Sequence, residues 1–421
     1  MSPYGRAVIR AAGVWALLSG VAIAGQTPRS DGCVQCHSGL GSTLAQPATE
    51  FRDDIHRERG FTCVDCHGGD GSATTKAAAK DRASGYRGTF TRGAVIEVCA
   101  RCHSDAAFMR KYAPSQRIDQ AAEYATSVHG KRLATGDTKV AICSSCHQPH
   151  GIRAVKDARS PVYPLNVTAT CATCHGNADH MRGYTLEDGS PLPTTQPHDY
   201  QQSVHYAALT KGRDLSAPTC NDCHGNHGAA PPGASSVVNV CGTCHAVFAT
   251  RLNASVHGPV LERGCVECHS NHAITAPSEQ MLGTAPEAVC SACHDNDSGA
   301  KAAAAMRTGI DGLRTTIDRV DQRVARLQEA GMELSAQQLA LREARTQLTL
   351  SRTEMHAFEP ALVGTIVDAG LGLTTAVDQA ADRADRELQF RRRGLVASMV
   401  VLLLMVGALI LKIRQIERRT E

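Results

Sequence analysis

Hydrophobic residues take up a regular helical spacing after His294. One run follows a four-three spacing and the next a strict spacing of seven: Leu313, Ile317, Val320, Val324 and Leu327, then Leu334, Leu341, Leu348 and Met355. These spacings predict two helices joined near Gly331. Pro360 ends the second helix, and a third helical segment continues from about Ala361 towards the chain end.

The predicted helices over residues 299–393 form a hairpin. Each heptad run covers only about two heptads, fewer than the three or four that indicate a coiled coil. We therefore favour an intramolecular hairpin packed on the rest of the chain, with a docking or oligomerisation element as the alternative. Gly370 and Gly372 are expected weak points in the third helical segment.

Two apolar runs lie near the chain ends. Residues 1–24 place Arg6 and Arg10 before an apolar run, which is the pattern of a signal peptide. Residues 394–411 form an uncharged run of 18 residues, which predicts a transmembrane helix. Basic residues flank this run on both sides, so charge alone leaves its orientation open.

Composition limits the kind of core that the remaining chain can build. Aromatic residues make up 4% of the chain, with a single Trp, and the formal net charge is +3 with His neutral. We therefore do not expect a large apolar core in residues 25–298. A nucleic-acid partner is not expected either, because no basic run occurs outside the flanks of the apolar segment.

One motif, Cys-x-x-Cys-His, occurs nine times and uses all 18 cysteines. Its copies are Cys33/Cys36/His37, Cys63/Cys66/His67, Cys99/Cys102/His103, Cys143/Cys146/His147, Cys171/Cys174/His175, Cys220/Cys223/His224, Cys241/Cys244/His245, Cys265/Cys268/His269 and Cys290/Cys293/His294. Two thiols at this spacing can add to the vinyl groups of one haem, and the next residue places an imidazole beneath the iron. Zinc sites and disulfides are the alternatives, but neither needs a His after every second Cys. We therefore predict nine covalently attached c-type haems.

The motifs and the apolar runs together predict the fold class and the location. We expect a multihaem cytochrome c, mostly α with extensive irregular loops around stacked haems, followed by the C-terminal helical hairpin and one transmembrane helix. Haem is attached to such motifs outside the cytoplasm, in agreement with the predicted signal peptide. The haem domain, residues 25–298, is then periplasmic or extracytoplasmic, anchored in the inner membrane, with residues 412–421 as a cytoplasmic tail.

A repeated unit supplies candidates for the second axial ligand. A bulky residue stands five positions before a His in four places: Phe51 before His56, Tyr124 before His129, Tyr200 before His205 and Leu252 before His257. In three copies another His follows the first motif His by three residues, whereas the first copy has Asp70 there. The predicted two-haem modules are residues 51–105, 124–176, 200–246 and 252–295, and the motif at Cys33 stands outside them.

Ten His remain after the nine motif His are assigned. Seven recur by pattern and are the expected axial ligands: His56, His129, His150, His205, His227, His257 and His272. The second axial ligands of the remaining two haems come from His180, His198 and His356, from Met, or are absent.

These features resemble a multihaem cytochrome superfamily. The chain combines Ser-Val-His, a haem motif with another His three residues later, and a helical tail without haem motifs. In this combination it resembles the superfamily of cytochrome c nitrite reductase, hydroxylamine oxidoreductase, octahaem tetrathionate reductase and their non-catalytic electron-transfer relatives. The resemblance covers about Phe51 to His356. It implies haems stacked in pairs, with one open or unusually ligated haem in the enzymes. A lysine-ligated haem is not expected, because the chain has no Cys-x-x-Cys-Lys motif.

Three functions are compatible with these patterns. The favoured one is an electron carrier without catalytic residues, which relays single electrons between a membrane quinol-linked partner and an extracytoplasmic redox protein. The second is an oxidoreductase acting on a small nitrogen or sulfur compound at one open haem, with Asp70 directing attention to the His67 or the Cys33 haem. The third is a scaffold that binds a partner, or a second copy, through the C-terminal helices.

Overall fold

The chain is mostly helical. The structure, a computed structural model, describes residues 31–186, 188–230 and 239–420, so the predicted signal peptide lies outside the described residues. The described residues contain no β-strand beyond an isolated bridge between Thr185 and Pro191. The mostly α prediction is thus confirmed.

The helices are short except for the last three. In chain order they are α1 (Gly32–Ser38), α2 (Gln46–Glu50), α3 (Ile55–Glu58), α4 (Cys63–His67), α5 (Lys76–Ala79), α6 (Arg92–His103), α7 (Ala106–Tyr112), α8 (Gln120–Thr126), α9 (Val128–Ala134), α10 (Cys143–His147), α11 (Pro164–His175), α12 (Ala178–Met181), α13 (Gln196–Gln201), α14 (Val204–Thr210), α15 (Cys220–His224), α16 (Ala246–Ala254), α17 (Val266–His269), α18 (Ser298–Glu329), α19 (Ser335–Glu354) and α20 (Pro360–Thr420). The 3-10 turns Val240–Thr243 and Val289–Ala292 hold two further motif segments.

The chain divides into two compact units. The first comprises residues up to Ala121 together with Ala141–Pro161, and the second comprises Ala122–Val140 with Val162–Glu421. In each unit, the helices that carry Cys-x-x-Cys-His motifs have 12 residues or fewer. Loops of irregular backbone connect these helices, as the sequence predicts.

In the second unit, α18, α19 and α20 pack into a bundle. The predicted hydrophobic stripe of α18, from Leu313 to Leu327, is buried, and so are Leu341 and Leu348 of α19. The turn between α18 and α19 falls at Gly331, whose φ of 85° lies in the left-handed region that favours glycine. Two apolar clusters along the bundle join all three helices.

The predicted weak points in the last helix are wrong. α20 runs without interruption through Gly370 and Gly372. A Cβ atom at Gly370 would lie 2.8 Å from Cδ2 of the buried Leu313, whereas a Cβ at Gly372 would meet nothing within 4 Å. Gly370 therefore allows α18 and α20 to approach closely.

Beyond the bundle, α20 becomes apolar and exposed. The helix has 61 residues, which corresponds to roughly 90 Å at about 1.5 Å per residue. Its most apolar stretch has a mean hydropathy of 2.8, and none of that stretch is buried. By length and composition, α20 can cross a membrane.

The bundle also packs on the segment that carries the last motifs. Arg307 donates hydrogen bonds to the carbonyl oxygens of Glu279, at 2.6 Å, and of Leu282, at 3.1 Å. Arg251 of α16 pairs with the buried Glu354 of α19 at 2.8 Å. The helices thus pack within the chain, which is the arrangement that the heptad lengths favour.

Candidate haem-binding sites

The motifs occupy two kinds of local structure. The first motif of each predicted module, at Cys63, Cys143, Cys220 or Cys265, lies at the beginning of a short helix that ends at the motif His. The second motif, at Cys99, Cys171, Cys241 or Cys290, ends a longer helix or lies in a 3-10 turn. We call these the first and second motifs below.

A sharp turn follows each first motif. The residue after the motif His has a positive φ in all four copies: Gly68 at 69°, Gln148 at 68°, Gly225 at 78° and Ser270 at 59°. Their ψ values lie near 180°, a backbone region that only glycine adopts without strain. The turn redirects the chain, so that the residue three positions after the motif His leaves the helix axis.

The structure brings motif His and other His together in pairs. Within the described parts of the two compact units, seven such pairs have ring centroids 5.9–6.3 Å apart. They are His103 with His56, His175 with His129, His245 with His205, His294 with His257, His67 with His150, His224 with His272, and His269 with His356.

This spacing fits two axial ligands of one metal ion. A bond from an imidazole nitrogen to a metal is about 2.0–2.1 Å, so two imidazoles on opposite sides of one ion have centroids roughly 6 Å apart. Each pair contains one motif His, whose two neighbouring thiols would hold the porphyrin. The residues present therefore fit c-type haem with two His ligands.

The two kinds of motif obtain their second His differently. Each second motif pairs with the Ser-Val-His or Asp-Ile-His residue of its own module. The first motifs at His67 and His224 instead pair with a His that follows the next module's motif, His150 or His272. In the fourth module, the His of the first motif, His269, pairs with His356, which directly follows α19.

The ring planes separate the same two classes. Pairs at first motifs are near-parallel, with interplanar angles of 22°, 15° and 18°. Pairs at second motifs are more open, at 85°, 58°, 39° and 85° in chain order.

A recurrent backbone contact positions the His that pairs with the second motif in three of the four modules. The residue before that His donates its backbone N–H to a carbonyl oxygen of the next module. The three bonds are Ile55 to Ile152 at 2.7 Å, Val128 to Ala229 at 3.1 Å and Val204 to Ile274 at 2.9 Å. Each acceptor lies two residues after His150, His227 or His272. The residue before each donor caps the short helix, as Asp54, Ser127 or Ser203. Both kinds of candidate ligand are thus fixed by the same contact.

Hydrogen bonds at Nδ1 orient several rings. His37, His67 and His356 contact carbonyl oxygens of Leu44, Gly88 and Thr353 at 2.9, 3.0 and 3.1 Å. His56 and His294 contact carboxylates instead, Asp54 at 2.9 Å and Asp297 at 2.8 Å. An Nδ1 that donates to oxygen leaves Nε2 free for a metal.

Burial keeps many of these imidazoles neutral. It lowers the pKa of His129, His150, His175, His205, His224, His257, His269, His272 and His356. Burial disfavours the charged imidazolium. The neutral ring is the form that binds a metal.

Thiols of successive motifs lie side by side within each unit. Hydrogen bonds join Cys99 to Cys143, Cys171 to Cys220 and Cys241 to Cys265. The first two motifs are joined by Asp31, which accepts from the backbone N–H groups of Cys33 and Cys63, both at 3.0 Å. Burial, reinforced by Asp31, raises the pKa of the Cys33 thiol to about 11.

These three thiol contacts all involve the first cysteine of a motif, whereas the second cysteine is often closer to solvent. Every first cysteine is partly buried, but four of the second cysteines are exposed: Cys36, Cys66, Cys244 and Cys293. Burial raises the pKa of the Cys223 thiol to about 11 and also raises that of Cys268. The two cysteines of one motif thus have unequal surroundings, although the sequence predicts the same role for both.

Four second cysteines are placed by the helix or turn of their own motif. Cys146 and Cys174 are partly buried in the last turns of α10 and α11, and Cys244 and Cys293 directly follow the 3-10 turns of their motifs. The hydroxyl of the preceding threonine lies 3.9 Å from the sulfur atom of Cys174 and of Cys244, a long and weak contact. Haem attachment at these cysteines, as at the other fourteen, stays a prediction from the motif.

The alternative uses of the cysteines find no support in this part of the molecule. All 18 cysteines lie within the described residues, and none of them forms a disulfide. No group of three or more His, Cys, Asp or Glu among the described residues could hold a metal ion. A structural zinc site needs four such ligands.

The other positions that the sequence singles out have varied surroundings. No imidazole ring pairs with His37 in the described parts of the chain. His198 has a side chain 74% exposed, and His180 lies at the end of the short helix α12. Asp70 is exposed and accepts hydrogen bonds from the backbone N–H and the hydroxyl of Ser72. His147 ends α10, and Nδ1 of His227 lies 3.8 Å from the Glu123 carboxylate.

Two family models match parts of the chain. The model described as cytochrome c3 matches residues 55–175, which hold the motifs at Cys63, Cys99, Cys143 and Cys171. The model described as a doubled CXXCH motif matches residues 257–299, which hold the motifs at Cys265 and Cys290. These matches support a multihaem c-type cytochrome.

Both families imply covalently bound c-type haem. Searches of curated proteins and of solved structures returned no significant match. The resemblance to the nitrite reductase and hydroxylamine oxidoreductase superfamily, the number of nine haems and the boundaries of the two-haem modules stay predictions.

Sequence reasoning missed the partner of each candidate ligand and the role of the carboxylates. In the sequence, Asp54 replaces the serine of Ser-Val-His, and this difference could have indicated a carboxylate beside His56. Asp297 caps α18 and contacts His294, a double role that only the fold reveals.

Proposed function

We propose that the cytochrome relays single electrons between a membrane quinol-linked partner and an extracytoplasmic redox protein, with no catalytic residue of its own. The observation that carries this proposal is the set of paired imidazoles. A His on each face closes the iron to substrates and limits the change of geometry between oxidation states. Bound haem supplies the one-electron chemistry. The chain supplies the ligands, their orientation and their burial.

The contacts between motifs support transfer along the chain. Within each unit, thiols of successive motifs lie within hydrogen-bonding reach of one another. Porphyrins attached to such thiols would be close neighbours, and we infer that the haems stack in the order of the motifs within each unit.

The apolar part of α20 supports a membrane anchor. It is exposed, and Arg391, Arg392 and Arg393 precede it. We propose an inner-membrane anchor with the haem domain on the outer face, since cytochrome c families are typically extracytoplasmic and a signal peptide is predicted.

The proposal is tested by electron paramagnetic resonance of the oxidised, detergent-purified protein, quantified per mole of haem. We expect low-spin ferric haem in two classes. Near-parallel ligand planes separate the iron dπ orbitals, whereas near-perpendicular planes leave them almost degenerate and give larger g anisotropy. High-spin signal amounting to several haems would contradict the carrier. The absence of covalent haem would contradict the whole proposal.

A second candidate function rests on the motif at Cys33. His150 and His272 each serve the first motif of the module before their own. By the same offset, the position of Asp70 belongs to the haem of Cys33 and Cys36, not to that of His67, which already has His150. Gly32 donates its N–H to the carbonyl of Gly71 at 2.9 Å, so the two segments are in contact. An open iron there would suit a reductase or oxidase of a small nitrogen or sulfur compound.

This second function is tested by ligand binding. We expect nitrite, cyanide or carbon monoxide to bind one haem per chain, and Asp70→His to abolish that binding. Asp70→Asn is the control, because it removes the charge without adding an imidazole. Equal binding by all three proteins would rule out the Cys33 haem as the site.

A further inference from the structure

The first copy of the repeat differs from the others by one buried carboxylate. Ser127, Ser203 and Ser255 stand two residues before His129, His205 and His257, whereas Asp54 stands two residues before His56. In the three serine copies, the hydroxyl accepts only a backbone N–H: from Gly130 at 2.9 Å, Tyr206 at 3.1 Å and His257 at 3.1 Å.

Asp54 also accepts a backbone N–H of its own helix, from His56, and it makes two further contacts. Its Oδ1 lies 2.8 Å from the backbone N and 2.9 Å from Nδ1 of His56. Its Oδ2 accepts from the backbone N–H of Ile152 at 2.8 Å. The side chain is 3% exposed, so the carboxylate is held in one position against the ring.

Asp54 forms no ion pair with an arginine in the part of the chain that the structure describes. Arg153 directs its guanidinium to Asp53, at 3.1 Å, and to Asp157, at 3.7 Å. By contrast, Nδ1 of His257 in the fourth copy is buried and has no hydrogen-bond partner among the described residues. Equivalent imidazoles of the repeat thus have different polar environments.

We propose that Asp54 sets the reduction potential of the haem at Cys99 and Cys102, holding it lower than a serine at this position would. The inference rests on the proposed ligation of that haem by His56 and His103. A carboxylate on Nδ1 raises the basicity of Nε2, and the stronger donor stabilises ferric over ferrous iron. The step concerned is the gain of one electron by the ferric ion, with no bond formed or broken.

The test is a potentiometric titration of the full-length holoprotein, followed by electron paramagnetic resonance. Asp54→Ser installs the residue of the other copies. Mutation of an outer-shell partner of a metal-bound His typically costs about 10–100-fold in metal affinity or activity, and we take the lower end as the scale for the redox equilibrium. We expect one haem, in the near-perpendicular class, to shift upward by about tenfold in its one-electron equilibrium constant, or about 59 mV. Asp54→Asn, which keeps an acceptor but loses the charge, should shift the same haem upward by less.

The matched control places the carboxylate elsewhere. Asp caps helices about as well as Ser does, so Ser203→Asp should keep the local fold. The added carboxylate should lower the reduction potential of the haem that His205 and His245 would bind. Asp137→Asn removes a partly buried carboxylate that accepts from the backbone N–H of Lys139 at 2.9 Å and from the hydroxyl of Tyr184 at 2.8 Å, and it should leave the potential of the haem at Cys99 and Cys102 unchanged.

The outcomes separate the two proposals. Unchanged midpoint potentials in an Asp54→Ser protein with its full haem content would overturn the role of Asp54 and leave the electron carrier intact. If both Asp54 variants lose haem, an unchanged titration of Ser203→Asp overturns it. A parent protein without low-spin haem having two His ligands would overturn the proposed function itself.

Discussion

His356 is a candidate ligand supplied from outside the motif region. Its ring lies 6.2 Å from that of His269 at an interplanar angle of 18°. Phe248 packs edge-on against it at 5.1 Å, and Nδ1 contacts the carbonyl of Thr353. Burial lowers the pKa of His356, so the ring is neutral at physiological pH. The segment that follows α19 therefore supplies a candidate haem ligand, while the helical bundle forms a core.

We expect His356→Ala to convert one low-spin haem to high-spin. The small side chain leaves the iron above His269 with one protein ligand, and a high-spin ferric signal of about one haem per chain should appear. Electron paramagnetic resonance of the oxidised protein measures this change. His198→Ala is the control, because that side chain is 74% exposed and its nearest charged neighbour is Asp199. An unchanged low-spin count in His356→Ala would exclude His356 as a ligand.

At the scale of helices, a buried contact and a charged contact join α18 to α20. The buried contact is Gly370 against Leu313, which is 0% exposed. The charged contact is Arg323, which pairs with Asp378 at 2.8 Å and with Asp382 and Asp385, both at 2.6 Å.

Gly370→Ala and Gly372→Ala should have opposite effects on stability. At Gly372 the new methyl group meets open space, so better helix propensity should stabilise the protein by about 1 kcal/mol. At Gly370 the methyl group overlaps Leu313 in a packed core, and overpacking costs about 1–3 kcal/mol. Thermal unfolding of the full-length protein, followed by far-ultraviolet circular dichroism, measures both. A gain of stability in both variants would contradict the close approach of the two helices.

The charged contact predicts loss of stability in acid. Burial alone would raise the pKa of Asp378, but Arg323 and Arg319 outweigh it and hold the pKa below its usual range. A carboxyl group with a lowered folded-state pKa contributes stability above its unfolded pKa of about 3.9, and that stability is lost as the pH falls through the folded value.

Asp378→Asn should therefore lower stability by about 0.5–1 kcal/mol at pH 7, since the pair is partly exposed and screened by solvent. The difference from the parent protein should shrink as the pH falls through the lowered folded-state pKa of Asp378, and vanish below it, where the carboxyl group is protonated in both folding states. Melting temperatures of both proteins across this range measure the effect. A difference that stays constant with pH would point to lost packing rather than to the ion pair.

For the whole molecule, α20 links the bundle to the exposed apolar segment in one helix. No break separates the two parts, so the helix that completes the core is the same one that can cross a membrane. The sequence puts the predicted boundary at Gly394, where the charged run of arginines ends.

Removal of residues 394–421 should release the protein from membranes without loss of haem. The bundle ends before this segment, since the last cluster residue packed against it is Leu388. We expect the parent protein in the membrane fraction and the shortened protein in the soluble extracytoplasmic fraction, with equal haem per chain. Replacement of Arg391, Arg392 and Arg393 by Gln is the control, and should leave the protein in the membrane fraction. A shortened protein that remains membrane-bound would contradict a single anchor.

The sequence alone determined what depends on neighbouring residues. Thioether attachment and proximal ligation need two thiols and an imidazole within five residues, so each haem motif can be recognised in the sequence without knowledge of the fold. The buried stripes of α18 and α19 and the apolar run follow from local periodicity and hydropathy in the same way. By contrast, Gly370 and Gly372 were misread as weak points, because a helical glycine does not reveal whether another helix approaches it.

Tertiary structure alone decided which imidazole faces which. His56 and His103 are separated by 47 positions and His269 and His356 by 87, and all His are chemically alike, so spacing cannot assign a partner. The fold does so through contacts between modules, such as the N–H of Ile55 on the carbonyl of Ile152. Under the second proposed function, the same offset of one module assigns the position of Asp70 to the Cys33 haem, one of the two haems that the sequence left open. The contacts between modules also bring Asp54 onto His56 in a buried site, where a full charge acts strongly because water does not screen it.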